Sequence, residues 1–354
     1  MKIGLIGLPS SGKTTVFNAL TGSDLPTGSM TGAPFEIHTA VVSVPDVRMD
    51  ALTAFYHPHR TTPAQVTYAD ISGLKADVGR EGLPGPLVNQ LEQMDGLIHI
   101  LRAFPDEVVP HPQGSVNPAR DASMMASEFI IHDMLVVAKR LEHLHEDDER
   151  NARDRGEIER DIRLFERLEQ ALDDGQAVRE LTFSRDEDRR LAGYGLLSRK
   201  PMLHVLNLAE GQELSAMDPE DSETIALQGE LEMELAQLSE EEAKAFFQEY
   251  GIQDPARKRI IRASYELLHL QSFFTVGEDE VRAWTIPLGA TALDAAGTIH
   301  SDLARGFIRA EVIPWNELLD MGGLPEARQG GKLRLEGKSY IVEDGDIVHI
   351  RFNI

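Results

Sequence analysis

Hydrophobic positions change their period along the chain. Over the first hundred residues they come as short apolar runs, at 2–6, at 35–44 with strand character from near Thr39, at 65–69 and at 96–101, with an amphipathic stretch at 87–94 before the last. Short apolar runs bounded by turns predict buried strands, and their alternation with helical periods predicts a parallel sheet with crossover helices. From 122 to 191 the strand-like runs stop. Met134, Val137, Leu141 and Leu144, then Ile158, Ile162, Phe165, Leu168 and Leu172, recur at intervals that put each set on one helix face, with polar residues 146–156 between them. An antiparallel helical hairpin projecting from the sheet is the economical arrangement, and a pair of ordinary helices covering the core is the other.

Strand character returns at 201–206 and again at 224–227, followed by a helix from Gly229 carrying Leu231, Leu235 and Leu238. Two amphipathic pieces, 240–250 and 255–270, lead to a last region of different texture. There, short runs at 273–276, 281–286, 307–313, 332–335, 340–342 and 346–352 are separated by Gly-rich turns, with one clear helix at 292–303. The pattern predicts an α/β domain formed by 1–121 with 192–250, with a mainly parallel sheet and helices on both faces. An inserted helical arm at 122–191, a linker helix at 251–269 and a compact α+β domain at 270–354 complete the expected organisation.

Composition narrows this picture. The 354 residues suffice for two or three domains with cores of their own, and the absence of cysteine excludes disulfides and thiolate metal sites, as in a reducing cytosol. No apolar stretch is long enough to span a bilayer, and the N-terminus reads as a strand, not a signal peptide, so a cytoplasmic protein without membrane association is expected. The net charge of −24 argues against general nucleic-acid binding, and no DNA partner is expected. The excess is uneven: residues 210–249 hold 13 acidic side chains against one Lys, while Arg257, Lys258, Arg259 and Arg262 form a basic cluster that leaves a local RNA contact open.

The candidate chemistry begins where the first strand ends. Gly7-Leu8-Pro9-Ser10-Ser11-Gly12-Lys13-Thr14 is a GxxxxGK[ST] phosphate-binding loop opening into a helix at Thr15. Its backbone N–H groups form a nest for phosphates, Lys13 reaches the β/γ-phosphates, and Thr14 supplies a hydroxyl for Mg²⁺. Asp70-Ile71-Ser72-Gly73, at the end of a strand, is a DxxG in which Asp70 holds Mg²⁺ and the Gly73 N–H senses the γ-phosphate. Asn207-Leu208-Ala209-Glu210, after another core strand, is similar to the NKxD base reader of GTPases. The Asp of NKxD accepts from guanine N1–H and the 2-amino group, and Glu210 sets its carboxylate one methylene further out, which weakens a guanine preference.

Taken with the terminal region, these motifs resemble the YchF or Obg-like ATPase family of phosphate-loop proteins over nearly the whole length. The most specific stretches are Glu280-Val281-Arg282-Ala283-Trp284-Thr285-Ile286, His300, Gly306-Phe307-Ile308-Arg309-Ala310-Glu311-Val312, Asp344-Gly345-Asp346 and Phe352-Asn353, which look like that family's TGS-type domain. Arg259-Ile260-Ile261-Arg262-Ala263 and Tyr265 match the segment before it. The resemblance implies an ATPase domain, a helical arm, a TGS-like domain and association with ribosomes in translation or stress control. It further implies ATP as substrate held by residues 8–15 (Leu8, Pro9, Ser10, Ser11, Gly12, Lys13, Thr14, Thr15) and by Asn207, Leu208 and Glu210. Mg²⁺ would sit at Thr14, Thr39 and Asp70, with K⁺ left open as an accessory ion. Leu74 stands where related GTPases carry a water-positioning Gln, and leucine orients no water by hydrogen bonding. The alignment places His111 on the family's loop histidine, either a water-positioning group or a solvent-exposed loop residue. Three readings follow: a slow ATP-hydrolysing switch, a nucleotide-gated adaptor with little hydrolysis, or a GTPase.

Overall fold

The computed structural model describes residues 1–27, 37–72, 82–149, 155–212, 224–249 and 255–353. Gly73, Leu74 and the stretches around 30, 77 and 217 lie outside them. The chain divides into two compact units, residues 1–40 with 67–259, and residues 41–66 with 260–354.

The first unit is built on a six-stranded sheet. In chain order its elements are β1 (Lys2–Ile6), α1 (Lys13–Thr21) and β2 (Ile37–Ser43). After α2 (Val47–Tyr56) and β3 (Arg60–Thr62), which belong with the second unit, come β4 (Gln65–Ile71), α3 (Gly85–Glu92) and β5 (Gly96–Arg102). Next are α4 (Pro118–Glu149), α5 (Arg155–Asp173), α6 (Arg185–Leu191), β6 (Met202–Leu208), β7 (Thr224–Gln228), α7 (Gly229–Gln237) and α8 (Glu240–Glu249). The strand order is β2-β4-β1-β5-β6-β7, and the four pairings from β4 to β7 are parallel. Every residue of β5 is buried, as a central strand covered on both faces requires. With β1 central, the chain reverses direction in the sheet order there, so the loops after β1, β4, β5 and β6 open on the same edge of the sheet.

The helical hairpin forms, but its first helix does two jobs. The N-terminal part of α4 buries Met125 and Phe129 against Leu97 and Met202 of the sheet and Leu87 and Leu91 of α3. Further along, Val137, Leu141 and Leu144 pack with Leu164, Phe165, Leu168 and Leu172 of α5. The Arg140–Asp161 and Arg155–Asp148 pairs confirm that the helices run antiparallel. Both sequence alternatives therefore hold, each for part of one helix. Where they meet, buried Asp133 accepts from Leu197 N and Ser198 N, both at 2.8 Å, and so ties α4 to the turn before β6. Met134, placed on the seam by its spacing, is 36% exposed.

The second unit contains α9 (Ala256–Leu267, entered from the first unit), β8 (Leu270–Thr275), β9 (Glu280–Pro287), α10 (Ala292–Ile299), α11 (Ser301–Arg305) and β10 (Phe307–Pro314). It is completed by α12 (Trp315–Met321), α13 (Leu324–Gln329), β11 (Arg334–Glu336) and β12 (Asp346–Phe352). Its sheet order is β11-β10-β12-β8-β9-β3, over a core of Phe273, Ile286, Ala296, Ala310, Val312, Val348 and Ile350.

Three expectations change here. Residues 41–66, assigned to the nucleotide domain, pack in the second unit: β3 pairs in parallel with β9, and Arg48 of α2 bonds Asp344 at 2.6 Å and lies over the Phe274 ring. The single helix expected at 292–303 is broken at His300, which is extended (φ −167°) and whose Nδ1 accepts from Asp302 N, starting a new helix. The run at 340–342 contributes one isolated bridge, between Thr291 and Ile341, in place of a strand, while α12 and α13 add helices that the strand-rich reading omitted.

Candidate functional site

The site grows from the turn after β1. Gly7 takes φ +153°, and a Cβ there would lie 2.4 Å from the Ile100 carbonyl oxygen, so the loop leaves the strand pressed against β5. Gly12, at φ +85°, is left-handed, and a Cβ on it would lie 2.1 Å from Asn207 Nδ2. Both fixed glycines of the motif are thus required by backbone conformation and close approach together. Ser10 also has positive φ, 62°, a strained value for a residue with a side chain. From Gly12 the chain turns directly into α1, leaving the first-turn N–H groups unsupplied by any capping side chain.

Lys13 folds back over this loop. Its Nζ donates to the carbonyls of Gly7 (3.0 Å) and Leu8 (3.2 Å). An ammonium has three donors, so one remains for an incoming anion. Burial lowers the Lys13 pKa, with the nearby Asp70 carboxylate working the other way. One turn into the motif, Thr14 Oγ1 donates to Asp70 Oδ2 at 2.7 Å. Asp70 is 2% exposed and is delivered by β4, in register with Leu5 of β1. Its other oxygen, Oδ1, is buried with no hydrogen-bond partner, as is Ser11 Oγ. A hydroxyl and a carboxylate in contact, with an orphaned carboxylate oxygen beside a buried ammonium, are hard oxygen donors of the kind that suits Mg²⁺.

Asn207 ends β6 beneath the loop. Its Nδ2 donates to Ser11 O at 3.1 Å, and its Oδ1 accepts from Gly229 N at 3.1 Å. The side chain thereby ties the phosphate loop, β6 and the start of α7 into one piece. Glu210 is exposed, whereas Leu208 is buried. Two glutamines outside the motifs hold the turn carrying Glu210. Gln212 accepts from Ala209 N and donates to Ala103 O, and Gln228 accepts from Gly211 N.

A further residue missed in the sequence is Arg102, the last residue of β5 and one of the largest fully buried side chains. It donates to the carbonyls of Phe104 (3.1 Å) and Val109 (2.8 Å), lies 4.6 Å from the Phe104 ring centroid, and reaches Ser10 O at 3.5 Å. It therefore anchors the loop after β5 next to the phosphate loop. The signal in the sequence is an arginine closing a strand that is apolar but for His99.

His111 is neither exposed nor free. Its Nδ1 accepts from Gln113 N at 3.1 Å, which puts the ring proton on Nε2, 2.9 Å from Asp121 Oδ2. Burial lowers the His111 pKa, Asp121 opposes this, and Arg120 and Arg102 add to it. The solvent-exposed alternative is thus corrected, since the side chain is buried with Nδ1 engaged by Gln113 of its own loop and Nε2 by Asp121 at the start of α4. Thr39 is exposed on the edge strand β2, and among the described residues its hydroxyl makes no hydrogen bond to Thr14 or Asp70. The structure thus brings together Ser11, Gly12, Lys13, Thr14, Asp70 and Asn207. Among the described residues, Thr39, His111 and Glu210 make no hydrogen bond to that group.

Comparisons with known proteins agree with this architecture. A family model described as "50S ribosome-binding GTPase" matches residues 2–139, and the YchF-GTPase_C model, described as a protein of unknown function, matches residues 270–353. The chain is 35% identical over 363 residues to the "Ribosome-binding ATPase YchF" of Pasteurella multocida, covering 100% of this chain and 99% of that protein. It is 32% identical over 367 residues to "Obg-like ATPase 1" of Caenorhabditis elegans, covering 100% and 92%. Among solved structures, the Schizosaccharomyces pombe YchF GTPase matches with a TM-score of 0.84 at 31% identity, covering 99% of this chain and 97% of that one.

Proposed function

The chain belongs to the YchF family, and from that premise we propose that it is an ATP-hydrolysing conformational switch that acts with ribosomes in the cytoplasm. The relatives' printed names include ribosome-binding ATPases, and no helix among the described residues is long and apolar enough to cross a membrane. The observation that carries the chemical part is the Thr14–Asp70 contact with the orphaned Asp70 Oδ1, next to the buried Lys13 ammonium.

In the proposed reaction, water attacks the γ-phosphorus of ATP and leaves ADP and phosphate. The backbone N–H groups of Ser10, Gly12 and Lys13 and of the start of α1 would donate to phosphate oxygens, and the buried Lys13 ammonium would meet the charge that develops between the β- and γ-phosphates. Thr14 Oγ1 and the Asp70 carboxylate are the residues that would hold Mg²⁺, which supplies charge neutralisation on the phosphates when bound. Gly73 N–H is the proposed γ-phosphate sensor, and Thr39 is proposed as a further residue that would hold Mg²⁺ when nucleotide is bound. With Leu74 unable to orient water and His111 held by Asp121, turnover is proposed to be slow. The nucleotide domain, helical arm and TGS-like domain are proposed as the working parts of the switch.

The same reading assigns the base to Asn207, Leu208 and Glu210, with ATP preferred over GTP. Equilibrium competition between the two nucleotides, for the unmodified chain and for Glu210→Asp, tests the assignment. ATP is expected to bind more tightly to the unmodified chain, and Glu210→Asp to shift the ratio toward GTP by about tenfold or more, as hydrogen bonds to a charged group are worth about 1.5–3 kcal/mol. Tighter GTP than ATP binding by the unmodified chain contradicts it.

A further inference from the structure

Arg102 is a buried cation that no carboxylate of the chain neutralises by contact. It closes β5, in register with Asn207 on β6, and is 2% exposed. Three of its five N–H donors go to main-chain oxygens: Nε to Phe104, Nη2 to Val109 and, at the long distance of 3.5 Å, Nη1 to Ser10. The Phe104 ring covers one face of the guanidinium. Among the described residues Arg102 makes no ion pair, and the carboxylates of the neighbourhood are engaged elsewhere. Asp70 accepts from Thr14 and lies near Lys13, and Asp121 is shared by Arg120 and His111. Exposed Asp106 accepts from Val108 N and Val109 N of its own loop. Those two N–H groups, Val109 first, hold the Asp106 pKa below its usual value, and Arg102 adds to this through space without touching it.

Such a cation is costly. A guanidinium stays protonated at any pH a folded protein meets, so its burial is not relieved by loss of the proton, as it can be for lysine. Carbonyl dipoles and a ring face offset part of the lost hydration, and a full negative charge offsets more. Stapling the loop after β5 to its neighbours requires hydrogen-bond donors but no charge. The charge has a use in what it adjoins. Arg102 reaches the Ser10 carbonyl of the phosphate loop, and its register partner Asn207 bonds the next carbonyl, Ser11. Lys13 and Arg102 thus set two buried positive charges beside this loop, with Asp70 as the buried carboxylate facing Lys13.

We propose that Arg102 is a positioning residue whose buried charge, held against the phosphate loop, counterbalances the nucleotide's polyphosphate and sets a preference for the triphosphate over the diphosphate. It touches the loop through a carbonyl, so it acts through the loop and through space. Action at that range is strong in a protein interior: opposite unit charges about 10 Å apart, at an effective dielectric constant near 20, attract enough to change an affinity by about tenfold. Each further unit of phosphate charge is expected to gain by about that factor. The proposal deepens the reading of the chain as an ATP switch and rests on it.

The test is equilibrium binding of ADP and of a non-hydrolysable ATP analogue, each with Mg²⁺, to the unmodified full chain and to Arg102→Gln, Arg102→Lys and Arg199→Gln, with melting profiles in parallel. The two Mg²⁺ complexes share base, ribose and two phosphates and differ by about one unit of charge. Arg102→Gln is expected to lower the ratio of analogue affinity to ADP affinity by about tenfold. Arg102→Lys keeps the charge without the fork, and should hold the ratio near the parent's even where melting reports the lost bonds to carbonyls. Arg199, paired with Asp188, precedes β6 at the end of the sheet away from the phosphate loop, and Arg199→Gln should leave the ratio unchanged. An arginine that only holds the loop in place would weaken both nucleotides alike, so an unchanged ratio in a folded Arg102→Gln overturns the proposal. An equal fall in Arg199→Gln overturns it too. If Arg102→Gln does not fold, Arg102→Lys decides: a ratio near the parent's supports the proposal and a tenfold fall overturns it. Failure of the unmodified chain to bind either nucleotide overturns the ATP reading and the proposal together, whereas binding with a ratio unmoved by Arg102→Gln overturns the proposal alone.

Discussion

Lys13→Ala is expected to lower single-turnover ATP cleavage by about 10²–10³-fold, the usual cost of deleting one preorganised donor from a site where charge develops. The fold should persist, because the ammonium's two bonds go to Gly7 and Leu8 carbonyls of its own loop. Removing it also relieves the burial that lowers its pKa. Rapid-quench measurement at saturating nucleotide separates the chemical step from binding, and an unaltered melting profile establishes that the fold is intact. Unchanged cleavage in a folded variant would remove Lys13 from the reaction and with it the assignment of the phosphate loop.

Gly12→Ala is expected to abolish tight nucleotide binding through two additive causes. At φ +85° a residue with a Cβ costs about 1–2 kcal/mol. The Cβ would also stand 2.1 Å from Asn207 Nδ2, so the amide must move, breaking bonds to Ser11 O and Gly229 N worth about 0.5–1.5 kcal/mol each. Together these reach about 2–5 kcal/mol, or on the order of a hundredfold in affinity if expressed there. Calorimetric titration checks the loss. The double variant Gly12→Ala/Asn207→Ala should be better than the sum of the single losses, because the amide that is struck is gone. Strict additivity would show that Asn207 and the loop are not coupled as described.

The parts of this site visible in the sequence were those encoded locally. The phosphate loop is eight consecutive residues, and Asp70 follows an apolar run that becomes β4. Asn207 was legible as a strand-end polar residue, but its bond to Gly229 joins residues 22 apart across a chain reversal, which no local pattern records. Arg102 and the Gln212 and Gln228 braces were missed for the same reason: their partners are backbone atoms whose proximity exists only after folding. His111 was found by resemblance, and its environment was not, because the partner that occupies its Nε2 is Asp121, in the first turn of a helix.

Fold-level differences have similar causes. The three-residue strand Arg60–Thr62 is too short to show a period, so its addition to the C-terminal sheet is set by pairing with β9 alone. The seam of the helical hairpin was legible from its spacing, whereas the division of α4 between sheet and hairpin depends on what packs against each of its turns. Residues 292–303 had a continuous helical pattern, yet the His300 side chain caps a new turn and interrupts it.

Single-turnover cleavage of ATP by the purified, unmodified chain, with and without Mg²⁺ and with GTP in parallel, tests the central claim most directly. The account predicts release of phosphate from ATP that requires Mg²⁺, exceeds that from GTP and is lost in Lys13→Ala. Stoichiometric ATP binding with no phosphate release would contradict it in favour of a nucleotide-gated adaptor, and cleavage of GTP in preference to ATP would contradict the reading of Asn207 to Glu210.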